Sequence, residues 1–120
     1  MYDHIGLRVK NLDASVRFYE HALGALGHVL VSCEETYAGF GPKGAAAFWL
    51  YPHPDLKHAG THVAFQAKTR AAVDKFHAAG LKAGASDNGA PGVRADYGPK
   101  YYAAFLTDPD GNNVEAVCME

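Results

Sequence analysis

The chain has 120 residues, 48% of them apolar and 20% charged, with a formal net charge of -2 at pH 7; that is enough to bury one domain's core without covalent staples. Its basic residues are scattered, which leaves no electrostatic footprint for nucleic acid or an anionic membrane surface. The longest apolar run, residues 45–51, is about seven residues, against the roughly 20 that span a bilayer, and Met1 leads directly into a patterned segment with no signal-peptide core.

Residues Asp3 to Lys10 alternate, with Ile5, Leu7 and Val9 on one face and His4, Gly6 and Arg8 on the other, the pattern of a half-buried strand. A helix follows, with Asp13 as the expected N-cap and Val16, Tyr19, Leu23 and Leu26 as its apolar stripe, until Gly24 and Gly27 stop it. Three short strands are expected at His28 to Cys33, Thr36 to Phe40 and Ala46 to Tyr51, the last two separated by a Gly-Pro-Lys-Gly turn at 41 to 44. After a Pro-rich connection the pattern restarts: His62-Val-Ala-Phe-Gln-Ala lies over His4-Ile-Gly-Leu-Arg-Val at an offset of 58. Thr69 is placed to cap a second helix with a core stripe of Val73, Phe76 and Ala79, ending at Gly80. A short strand near Leu81 to Ala85, a long Gly/Pro/Asn loop from Ser86 to Lys100, and two strands at Tyr101 to Leu106 and Asn113 to Met119 complete the second copy. The last two are joined by an Asp-Pro-Asp-Gly turn. Tyr37-Ala-Gly-Phe also matches Tyr102-Ala-Ala-Phe. Each half thus reads as strand, helix, three strands, with too little helix to cover its own sheet. The two halves, about 1–52 and 60–120, should therefore pair into one α+β domain spanning 1–120.

In both copies the histidine, His4 or His62, lies opposite the residues that should pack under the helix, so both imidazoles are expected on the open face of the sheet. Glu115 stands in an otherwise apolar strand, where a carboxylate must be paired, solvated or bound to a metal. Its counterpart in the first half is apolar, Phe48 or Trp49. Two histidines and one carboxylate with open coordination places suit Zn, Ni, Mn, Fe or Co as divalent ions better than Ca or Mg. The loop supplies Arg94 and Lys100 as receivers of an anionic substrate, and Tyr97, Tyr101 and Tyr102 as hydroxyls and aromatic walls. Trp49 and Phe48 are further candidates for the cavity wall. His21, His28, His53, His58 and His77 fall on helix surfaces or connections and have no partner at diagnostic spacing. Cys33 and Cys118 form no Cys-x-x-Cys pair, so both are expected as free thiols and small core residues in a reducing, cytoplasmic setting.

Asp3-His-Ile-Gly-Leu-Arg-Val with Asn11-Leu-Asp-Ala-Ser-Val-Arg-Phe-Tyr, the Thr61-His-Val-Ala-Phe strand and Phe105-Leu-Thr-Asp-Pro-Asp-Gly-Asn-Asn-Val-Glu together resemble the vicinal oxygen chelate superfamily. This is the group of glyoxalases, fosfomycin- and bleomycin-resistance proteins and extradiol dioxygenases, and the resemblance covers nearly the whole chain. It implies two tandem βαβββ modules forming a curved mixed sheet around a central cavity. It also implies His4, His62 and Glu115 as ligands of a divalent transition metal that a substrate chelates through two neighbouring oxygens. Bacterial-type glyoxalase I supplies a second carboxylate where this chain has Phe48 or Trp49, so the likeness stops short of that residue. Short two-module members resemble a homodimeric type, in which His4 comes from one subunit and His62 with Glu115 from the other. The implied activity is that of a metal-dependent lyase, isomerase or group transferase. The alternative is a ligand-sequestering protein of the bleomycin-resistance kind.

Overall fold

The computed structural model describes residues 1–57 and 60–120; His58, read above as a surface loop residue, lies outside them. The elements run β1 (Ile5–Val9), α1 (Leu12–Gly24), β2 (Val29–Glu34), β3 (Tyr37–Gly41), β4 (Phe48–Pro52), β5 (His62–Gln66), α2 (Arg70–Lys82), β6 (Ser86–Val93), β7 (Tyr102–Thr107) and β8 (Asn113–Cys118). The strands form two mixed four-stranded sheets, ordered β1-β4-β3-β2 and β5-β8-β7-β6. In each sheet the first strand pairs in parallel with the last, and the remaining neighbours are antiparallel. This is the expected α+β architecture of two tandem βαβββ modules.

Strand alternation decides which side chains meet the helices. Leu7, Val9, Ala38, Phe40, Phe48 and Leu50 of the first sheet are buried with Phe18, Tyr19, Ala22 and Leu23 of α1. Leu106, Val114, Ala116 and Cys118 of the second sheet are buried with Val73 and Phe76 of α2, in the same continuous core. The helices also pack on each other: a Cβ built on Gly80 of α2 would lie 2.3 Å from Leu106 Cδ1 and 3.1 Å from Phe18 Cε1. At this close approach only a bare Cα fits.

Several expectations need correction. The N-cap of α1 is Asn11, whose side chain accepts from Ala14 N at 3.0 Å, so Asp13 falls in the first turn, where its charge complements the helix dipole. Thr69 caps α2 as expected, accepting from Ala72 N at 3.0 Å, but α2 continues to Lys82 and leaves no strand at 81–85. The Gly/Pro/Asn stretch is a strand over Ser86–Val93 rather than part of a long loop. It lies at the sheet edge and is bulged between Asp87 and Gly89 and between Gly89 and Gly92, and such an edge tolerates Gly and Pro91. The remaining connection is the tight turn 94–101, in which Arg94 N donates to Tyr101 O at 2.7 Å. Both cysteines are free, yet Cys33 is exposed and only Cys118 is core. Among the described residues no helix is long and apolar enough to cross a membrane.

Candidate functional site

β5 and β8 run parallel with His62 beside Asn113 and Ala64 beside Glu115, which places the imidazole and the carboxylate on the same face, away from α2. His62 Nδ1 lies 3.1 Å from the carbonyl oxygen of Asn113. A carbonyl only accepts, so Nδ1 carries a hydrogen and Nε2 is the nitrogen turned to the site. Nε2 stands 3.0 Å from Glu115 Oε2, and the Glu115 side chain is only 3% exposed. The other carboxylate oxygen, Oε1, accepts from the Tyr101 hydroxyl. Burial first, and then the hydrogen bond to Glu115 and its charge, push the Tyr101 phenol up to about 12, which keeps it a donor.

These groups border an open cleft of about 630 Å³ lined by His62, Asp96, Tyr97, Tyr101, Phe105, Asn113 and Glu115. The Phe105 ring lies nearly parallel to His62, with 6.4 Å between centroids. Arg94 covers Phe105 with its guanidinium carbon 5.3 Å from the ring centre, and its Nη2 donates to Ala90 O at 2.6 Å. Tyr97 packs edge-on against Tyr101 at 5.3 Å and is largely exposed at the rim.

The first module presents a different face. Gly6 pairs with Trp49 as Ala64 pairs with Glu115, so the register identifies Trp49, not Phe48, as the positional counterpart of Glu115. His4 opens onto a second cleft with Asp3, Ser32, Tyr37, Trp49 and Tyr51. Its Nδ1 is 2.6 Å from Asp3 Oδ1, and both side chains are exposed. The Trp49 ring lies over Gly39, where a Cβ would come within 2.5 Å of it, and stands edge-on to Tyr37 at 5.9 Å.

The structure therefore brings together His62, Glu115, Tyr101 and Tyr97, with Arg94 one ring away. His4 and Trp49 belong to the other cleft, and among the described residues no three His, Cys, Asp or Glu side chains of one chain converge on a common point. Tyr102 is corrected: its hydroxyl donates to Asp74 Oδ1 of α2 at 2.6 Å, and Arg70 lies over its ring, so it faces the helix. Phe48 is buried against Tyr19 and Phe65 and lines a separate apolar pocket with His4, Ile5 and Val63 rather than the His62 cleft. Lys100 is exposed in the turn before β7 and does not border the His62 cleft. The Tyr101–Glu115 bond, the Asn113 carbonyl that orients His62, and the Phe105 wall are additions. The two-residue alternation from Phe105 back to Tyr101 was the one signal in the sequence for the first of them.

Donors fitted to a transition metal are present in this arrangement. Two donor atoms bound about 2.1 Å from one ion at right angles stand about 3.0 Å apart, which is the separation of His62 Nε2 and Glu115 Oε2. The Nδ1 hydrogen on a backbone carbonyl is the usual outer support of a ligating histidine.

The sequence model of the Glyoxalase/Bleomycin resistance protein/Dioxygenase superfamily matches residues 2–116. Among solved structures, a glyoxalase/bleomycin resistance protein from Albidiferax ferrireducens T118 is 28% identical with a TM-score of 0.83, over 100% of this chain and 99% of that one. A glyoxalase/bleomycin resistance protein/dioxygenase family enzyme from Burkholderia phytofirmans PsJN shares the fold at 19% identity and a TM-score of 0.75, over 98% of each chain. A glyoxalase/dioxygenase from Nostoc punctiforme does so at 19% and 0.73, over 100% of this chain and 91% of the other. With a family match across almost its entire length and a fold shared over full chains, the protein belongs to the glyoxalase/bleomycin resistance protein/dioxygenase superfamily.

Proposed function

We propose that this chain is a metal-dependent enzyme of glyoxalase-like type, a lyase, isomerase or group transferase acting on a small substrate with two neighbouring oxygens. Its site is completed in a homodimer by His4 of the partner subunit. The observation that carries the reading is the 3.0 Å pairing of His62 Nε2 with the buried Glu115 Oε2, with Nδ1 satisfied by Asn113 O. The same two atoms, a ring nitrogen and a carboxylate oxygen, would hold a divalent cation between them.

When bound, such an ion supplies Lewis acidity toward a substrate carbonyl or alkoxide oxygen. The chain's own residues do the rest. His62, Glu115 and the partner subunit's His4 would hold the centre, Phe105 and Tyr97 form its aromatic border, and Arg94, stacked on Phe105 beside the cleft, would offer positive charge to an anionic substrate. The aromatic wall of Tyr37, Trp49 and Tyr51 beside His4 accommodates the apolar body of the substrate. That same wall favours the second reading, a ligand-sequestering protein of the bleomycin-resistance type that binds in the cleft without turnover.

The test is metal analysis of the purified protein beside His62→Ala. About one transition-metal ion per chain in the wild type, lost in the variant, is expected. A wild type free of bound metal after loading with Zn, Ni, Mn, Fe or Co would sink the reading. Screening with glyoxal thiohemiacetals, catechols and fosfomycin then separates turnover from binding alone.

A further inference from the structure

We infer that Tyr101 is the positioning residue that makes Glu115 a one-oxygen ligand and so sets how many coordination places the site leaves for substrate; this rests on the metal-site reading above. The two oxygens of Glu115 have separate partners: Oε1 accepts from the Tyr101 hydroxyl, and Oε2 faces His62 Nε2 at 3.0 Å. A carboxylate turns easily about its last torsion, and with Oε1 unoccupied it would offer both oxygens to a cation. Tyr101 prevents this because it is itself fixed. Its carbonyl accepts from Arg94 N at 2.7 Å, its N–H donates to Gly98 O at 3.3 Å, and its ring packs edge-on against Tyr97. Tyr101 precedes β7 in alternation with Ala103 and Phe105, and Phe105 is the direct partner of Glu115, so the hydroxyl reaches across one strand to the carboxylate.

The consequence is a count of open places. One oxygen from Glu115, one nitrogen from His62 and one from the partner subunit's His4 leave about three positions on a six-coordinate ion, whereas a two-oxygen Glu115 leaves about two. Three positions admit a chelating substrate together with a water molecule; two admit the chelate alone. The first module has no such device, because Trp49 stands at the position of Glu115.

The experiment compares wild type, Tyr101→Phe and Tyr102→Phe in titrations with Co(II), with infrared difference spectra of the carboxylate bands on loading. Phenylalanine keeps the ring contact with Tyr97, so Tyr101→Phe is expected to fold, melting lower than the wild type because buried Glu115 loses a donor. In the wild type, Co(II) binding should give the widely split bands of a one-oxygen carboxylate. Tyr101→Phe should bind Co(II) about 10–100-fold more weakly and show the narrower splitting of two-oxygen ligation, while Tyr102→Phe, whose hydroxyl faces Asp74 of α2 outside the cleft, keeps wild-type values. A Tyr101→Phe protein with wild-type affinity and splitting overturns the role given to Tyr101 and leaves the metal site standing. A wild type that takes up no Co(II) overturns the metal site itself, and this inference with it.

Discussion

The Tyr19 hydroxyl donates to Asp108 Oδ2 at 2.5 Å across 89 residues of sequence, inside the core. Asp108 is only 4% exposed and also accepts from Asn112 Nδ2 and from the backbone N–H groups of Asp110 and Asn112, each at 2.9 Å. Asp110 in turn accepts from Lys10 N at 2.9 Å. The Asp-Pro-Asp-Gly segment is therefore both a hairpin turn with Gly111 at φ +94° and a clamp that ties α1 to the second sheet. Removing the hydroxyl leaves a buried carboxylate short of one charge-assisted donor, so Tyr19→Phe should lower stability by about 1.5–3 kcal/mol in urea unfolding near pH 7. Burial first, and then the charge of Asp108, raise the Tyr19 phenol well above its ordinary value of 10. The stabilisation from protonated Tyr19 is thus fully present below pH 10 and is lost as pH climbs beyond it. Stability of the wild type should fall from about pH 10 upward, and Tyr19→Phe should show a shallower fall. Equal slopes for the two proteins would refute the coupling. The turn was legible in the sequence, but its anchor was not, because nothing local links residue 19 to residue 108.

Element by element, the sequence carried most where the two-residue period was clean. His4 and His62 open away from the core as alternation required, and both helices start within two residues of their expected caps. It misled where two similar strings invited alignment. Tyr37-Ala-Gly-Phe laid on Tyr102-Ala-Ala-Phe is out by one residue, since the pairing sets Gly39 against Trp49 and Phe105 against Glu115. A slip of one reverses the face of every side chain. Tyr37 consequently joins Trp49 on the open side, while Tyr102 turns to Asp74 of α2. The strand β6 was hidden for another reason: its bulges at Gly89 and Gly92 let an edge strand be built from residues that usually mark loops. Gly80 lies inside α2. It looked like a helix stop, whereas α2 runs through it so that Phe18 and Leu106 can close over the bare Cα. Gly80→Ala should gain a few tenths to about 1 kcal/mol in helix propensity but force the Leu106 side chain aside at about 1–3 kcal/mol. Chemical denaturation should therefore show net destabilisation. A variant as stable as the wild type would mean that the helix–sheet contact is looser than its 2.3 Å approach implies.

At the scale of the molecule, two modules of one topology share a core, yet the His62–Glu115 pair borders a cleft that His4 does not reach within the chain. The second carries His62 and Glu115 3.0 Å apart, and the first carries His4 among aromatic rings in its own cleft. Pseudo-symmetry was readable from the 58-residue offset of the two histidine strands. Whether the two open faces meet within a chain or between chains was not, because strand patterns fix which face a side chain takes and not which sheet lies opposite. Among the described residues, β1 and β5 are edge strands with no sheet partner on their outer side, and an unpaired edge is a ready template for another chain. If the sites form between two copies related by a twofold axis, each needs His4 from one subunit and His62 with Glu115 from the other. His4→Ala and His62→Ala homodimers should then each lose bound metal. A purified heterodimer of the two variants has one site lacking both histidines and one with the complete set. It should regain half the wild-type metal content, together with half of any turnover found in the substrate screen. Sites assembled within single chains would leave the heterodimer as empty as either parent, because every chain in it lacks one histidine. Differently tagged subunits, co-expressed and separated by two affinity steps, allow the metal in that heterodimer to be measured directly.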